Sequence, residues 1–181
     1  MKIALMFVTV AAFIGATNPG FAQDDANLPV PNVGVELEVP GAVGMPNPDL
    51  NYKVVFDIVA AASQADEVNP GLIGVGQFLN TLAKQGVPAE HRQIAIVLHR
   101  DATEVILNNE AHQARNDGHD NPNLKLLQDL KKAGVDIRQC GQAVVIKKID
   151  PSNIVPEVQL DYWALTTLLE FQLDGYVKVG G

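Results

Sequence analysis

The sequence predicts an α/β domain: three layers, α/β/α, on a mainly parallel sheet of about five strands. Three observations carry this. The apolar, β-branched runs at 52–60 and 93–99 read as buried strands, and 135–140 reads as a third strand. Segments of helical period stand between those runs, and strands alternating with helices make a parallel sheet with right-handed crossovers. The 181 residues are 47% hydrophobic but only 6% aromatic, so aliphatic packing fills the core such a chain can bury.

The first 22 residues stand outside that domain. Lys2 precedes an apolar run from Ile3 to Ala16, the breakers Asn18, Pro19 and Gly20 follow, and Gly20 and Ala22 are small residues at signal-peptidase spacing. This pattern is a secretory signal peptide over residues 1–22. Its apolar run is short for a bilayer span, which predicts no stable membrane span after cleavage and a periplasmic or secreted protein. Residues 23–51 carry prolines at 29, 31, 40, 46 and 48 and glycines at 34, 41 and 44, so they read as an extended arm. "VGVELEV" within it alternates weakly, as an edge strand would. The compact domain occupies 52–181.

Within the domain, "YKVVFDIVA" is the first strand. "GLIGVGQFLNTLAKQG" puts Ile73, Phe78, Leu79 and Leu82 on one helical face, with Gly86 as C-cap. "RQIAIVLHRDA" is the second strand, ending near His99, and "TEVIL" reads as a short strand or the start of a helix. "NNEAHQARNDGHD" reads as a polar helix and loop. "NPNLKLLQDLKKAG" is a helix capped by Asn121, with Pro122 in its first turn, a stripe of Leu124, Leu127 and Leu130, and Gly134 at its end. "VDIRQC" is the third strand, "GQAVVIKKI" a short helix and "DPSNIVP" a turn. "QLDYWALTTLLEFQLDG" reads as one long helix with Leu160, Trp163, Leu168 and Phe171 inward, and "YVKVG" closes as a strand.

With 13 basic and 21 acidic residues the net charge is −8, which excludes a nucleic-acid binder that works through a positive field. The chain has one cysteine, Cys140. In an exported protein a lone cysteine is buried and inert, a free thiol, or half of an intermolecular bond. Its position favours chemistry. Open parallel sheets gather functional groups at the carboxyl ends of their strands, and Cys140 ends the third. A helix starting at Gly141 or Gln142 turns its first amides and its dipole towards the sulfur, favouring thiolate. His99 ends the second strand on the same rim and is a candidate proton acceptor for Cys140. Arg100 follows it as a candidate to steer an anion, against the plainer reading of a loop charge.

Other clusters carry less. His112 and His119, near Glu110, Asp117 and Asp120, match no zinc-ligand spacing and read as polar loop. "GLIGVGQ" is neither a dinucleotide fingerprint nor a P-loop. Asp57, Asp66 and Glu67 receive no role. No metal and no cofactor is called for.

"GVDIRQCGQ", the preceding "NPNLKLLQDLKKAG" and the following "IDPSNIVPEVQLDYWALTTLLEFQLDGY" resemble the DsrE/DsrF-like family from about Tyr52 to Val179. The resemblance implies a five-stranded α/β/α domain assembled as an oligomer, here a homo-oligomer. It also implies persulfide chemistry on the cysteine that stands at Cys140, with a protein as sulfur donor or acceptor. Gly141 and Gln142 form the turn beside that cysteine and, with Arg100, are the candidate binding residues. The relay members are cytoplasmic and compact, unlike a chain with an export signal and a proline-rich arm. Three functions therefore stay open: sulfur carrier or sulfurtransferase through Cys140, non-catalytic binding or assembly module, and thiol-redox sensor.

Overall fold

The computed structural model describes residues 27–181, so the signal-peptide segment lies outside the described residues. Strands β1 (Tyr52–Ile58), β2 (Arg92–Leu98), β3 (Asp136–Cys140), β4 (Gln159–Asp161) and β5 (Val177–Gly180) form one sheet in the order β4-β3-β2-β1-β5. Every pairing is parallel. The helices are α1 (Pro70–Lys84), α2 (Asn109–Gln113), α3 (Leu124–Lys132), α4 (Gly141–Ile146) and α5 (Ala164–Leu173).

The strand order fixes the layers. From β1 to β4 the chain steps in one direction, so right-handed crossovers put α1 and α3 on one face. The return from β4 to β5 reverses direction and puts α5 on the other. Side-chain alternation along the strands matches. Val54, Ile58, Ile94, Ile96, Leu98 and Ile137 pack with Leu72, Val75 and Leu79 of α1 and Leu127 and Leu130 of α3. Val55, Ala95, Val97 and Cys140 face the other way, onto Ala164 and Leu168 of α5. The result is a three-layer α/β/α domain.

Asn69 caps α1: its side chain accepts from the Gly71 amide, and Pro70, which has no amide to orphan, fills the first turn. The buried stripe of α1 is Leu72, Val75, Leu79 and Leu82; Ile73 and Phe78 lie at its margin, one step round from the expected face. Between β2 and α2 the chain makes a 3-10 turn over Arg100–Ile106.

Three further expectations are corrected. Gln159–Asp161 is a strand, not the start of the last helix. It pairs with Arg138–Cys140, and the following helix begins at Ala164. Leu160 and Trp163 are consequently 41% and 43% exposed rather than in the core. Asn121 does not cap α3. Its amide donates to the Val105 and Leu107 carbonyls, and Asn123 occupies the cap position without a side-chain cap bond. "VGVELEV" adds no strand to the sheet among the described residues. That stretch instead lies beside α1, where the Glu36 amide donates to Thr81 Oγ1.

Candidate functional site

Alternation and register assemble the site. Asp57 follows Val55 by two residues, His99 follows Val97 by two, and Cys140 follows Arg138 by two, so all three side chains project from the α5 face at the carboxyl rim. Leu98 pairs with Gln139, which sets His99 beside Cys140 at the ends of neighbouring strands.

Cys140 is 4% exposed and sits at the Ncap position of α4 with extended backbone (φ −69°, ψ 116°). Its Sγ accepts a hydrogen bond from the Ala164 amide at 3.2 Å. Ala164 opens α5, so this is an amide left over at the positive end of a ten-residue helix. The thiol thus stands where α4 begins and where α5 begins. Gly141 permits this crowding: a Cβ there would lie 2.7 Å from the Asp161 carbonyl oxygen and 3.2 Å from that of Tyr162. The Gln142 side chain donates to the same Tyr162 carbonyl at 3.3 Å.

His99 is close by in register, but its hydrogen bond runs the other way. Its Nε2 bonds Asp57 Oδ1 at 2.7 Å, and Lys178 Nζ bonds Asp57 Oδ2 at 2.7 Å. A carboxylate can only accept, so Nε2 carries the proton and the neutral ring keeps Nδ1 as its bare nitrogen. No hydrogen bond joins the imidazole to Sγ among the described residues. Arg100 is exposed, its side chain makes no hydrogen bond among the described residues, and its backbone is left-handed at φ 54°. Gln142 is exposed as well.

Sequence reasoning passed over Asp57 and Lys178. The missed signal was a carboxylate two residues past Val55 in a run buried on both faces; such a group needs a partner. Burial alone would push Asp57 up, but hydrogen bonds and charge from Lys178 and His99 outweigh it and hold the carboxyl below its ordinary value. A depressed carboxyl releases its proton more readily in the folded chain. Its stabilisation is therefore fully present above about pH 4 and lost as pH falls through the lower folded value. In thermal melts across pH 2.5 to 6, a range of roughly that acid arm, the wild type should lose stability towards acid more steeply than Asp57→Asn. Parallel curves would mean the network contributes nothing.

A family model described as the DsrE/DsrF-like family matches residues 46–179. The chain belongs to the DsrE/DsrF-like family. A solved structure titled protein of unknown function MTH1491 from Methanobacterium thermoautotrophicum superposes with a TM-score of 0.50 at 16% identity, over 71% of this chain and 97% of that one. At that identity the likeness shows the fold. No curated protein matches the chain. The DsrE/DsrF-like family is associated in general with sulfur relay, which turns attention to the one sulfur nucleophile on the rim.

Proposed function

We propose that this protein is an exported sulfur carrier that holds sulfane sulfur as a persulfide on Cys140. The observation that carries the reading is the hydrogen bond from the Ala164 amide to Sγ, made at the N-terminus of α5 and beside that of α4. Such a donor favours a negative sulfur, whether thiolate or persulfide anion.

The chemistry balances without an external oxidant. His99, braced by Asp57, takes the thiol proton. The thiolate attacks a terminal sulfur of a polysulfide dianion. One S–S bond forms at Cys140, one breaks in the donor, and the polysulfide shortened by one sulfur leaves with the electron pair. Arg100 on the rim attracts the anionic donor. Burial of Cys140 keeps the loaded sulfur from water and stray thiols, and the Tyr162–Ala164 turn over it shifts to admit the donor.

A second reading, assembly of copies of this chain, has its own observation. Leu165, Leu169 and Leu173 recur on the outer face of α5 and are 57%, 52% and 79% exposed. Ile146, Tyr162 and Val177 are further exposed apolar side chains, at 78%, 81% and 65%. A patch of this kind marks an interaction surface.

One experiment weighs both readings. The reduced mature protein is exposed to polysulfide beside a Cys140→Ser control, and intact mass is read under denaturing and native conditions. A gain of one sulfur, removed by dithiothreitol and absent from the control, is the expected result. No gain, with Cys140 alkylated slowly in the native state and a native mass of several copies, would replace the carrier with the assembly module.

A further inference from the structure

A cleft lies among the loops that follow β1 and β2 at the carboxyl rim of the sheet. Its volume is about 360 Å³, and it is bounded by the loop after β1, the start of α1, the 3-10 turn after β2, and α2. That volume is within the range of small-molecule sites.

His112 lines the cleft and is 4% exposed. Its Nδ1 bonds the His119 carbonyl oxygen at 2.8 Å. A carbonyl only accepts, so Nδ1 is the protonated nitrogen and the neutral ring holds Nε2 as a bare acceptor with no partner among the described residues. The Asp101 carboxylate, also lining the cleft, makes no side-chain hydrogen bond among the described residues. Asn116 uses its amide nitrogen on Glu104 and on the His112 carbonyl, which leaves its Oδ1 without a donor. Glu67, Asp101 and Glu104 line the cleft; Glu104 is paired with Arg115 at 3.3 Å and lies 3.8 Å from Lys147, while Glu67 and Asp101 form no ion pair among the described residues.

The cleft offers little to an anion. The first amide of α1, at Gly71, is already taken by the Asn69 side chain. It is no coordination site either, since no three His, Cys, Asp or Glu side chains converge among the described residues. What remains is a concave cleft with two carboxylates, Glu67 and Asp101, that form no ion pair among the described residues, and a buried imidazole at its wall. We propose that the cleft binds a small organic ammonium compound, which donates N–H to His112 Nε2 and sets its charge against Asp101. This site is independent of the sulfur chemistry at Cys140.

Calorimetric titration of the mature protein with putrescine and with methylammonium tests it, with succinate as the anionic comparator. Saturable binding of at least one amine is expected, weakened roughly tenfold or more in His112→Phe and in Asp101→Asn, with succinate silent. If His112→Phe does not fold, Asp101→Asn decides alone, because that side chain is exposed and holds nothing in place. Absence of saturable binding by both amines, undiminished affinity in Asp101→Asn, or succinate binding instead would overturn the proposal.

Discussion

Asn80→Leu should release the segment around Val30 from the domain and cost about 3 kcal/mol of stability, on the scale of buried polar groups left without partners. Asn80 is wholly buried in the middle of α1. Its Oδ1 accepts from the Val30 amide at 2.9 Å, and its Nδ2 donates to the Val30 and Gly34 carbonyls at 2.7 and 2.8 Å. Val30, itself wholly buried, could not otherwise sit against a helix, because its backbone groups would be orphaned there. Leucine matches the four heavy atoms of the asparagine side chain and raises helix propensity, but its methyl groups are bulkier than the amide, so part of the loss is overpacking and the exchange pattern at Val30 reads the hydrogen bonds. The exposed pair Lys84–Glu38, farther along the same stretch, offsets little of it. Amide hydrogen exchange should show the Val30 amide unprotected in the variant while the Ile96 amide in β2 stays protected. A Val30 amide still protected, with under about 1 kcal/mol lost, would show that apolar packing alone holds the segment.

This anchoring was invisible in the sequence for a physical reason. A polar residue inside a helical run carries no signal of where its amide points, and prolines upstream say only that the chain is extended. β1 and β2 were legible because they are buried on both faces and are mostly runs of apolar, β-branched residues; β3, Asp136–Cys140, has Ile137 as its one aliphatic residue and was legible from its place between the end of α3 and the start of α4. The rim position of Cys140 followed from that. β4 was not legible. Its three residues are too few for a period, only β3 pairs with it, and its middle residue, Leu160, is exposed. The inward face of α5 was half legible. Leu168 is buried as expected, but Leu165, Leu169 and Leu173 make the opposite face apolar too, so hydrophobic period could not tell sheet from surface. The partner of His99 required register: a carboxylate forty-two residues earlier becomes a neighbour only when β1 and β2 pair as they do.

Gly141→Ala should destabilise the domain by roughly 2 to 3 kcal/mol and, at the same time, speed alkylation of Cys140 in the folded state. The added methyl would meet backbone, not a side-chain tip. The Asp161 oxygen at 2.7 Å belongs to the residue that pairs with Cys140 across β3 and β4, and the Tyr162 oxygen at 3.2 Å belongs to the turn that leads into α5. Relief therefore requires β4 and that turn to withdraw from α4. Withdrawal carries the Ala164 amide away from Sγ and opens the cover on a thiol that is now 4% exposed. Stability and thiol access thus move together through one contact. Gly74→Ala supplies the control. Gly74 is exposed on α1, and a Cβ added there would meet nothing within 4 Å, so the change should stabilise by about 1 kcal/mol through helix propensity and leave the alkylation rate alone. Denaturant midpoints and native alkylation rates of the two variants decide the matter. If Gly141→Ala loses stability with no change in thiol rate, the Tyr162–Ala164 turn is not what covers Cys140, and entry to the sulfur must lie along the His99 side of the rim instead.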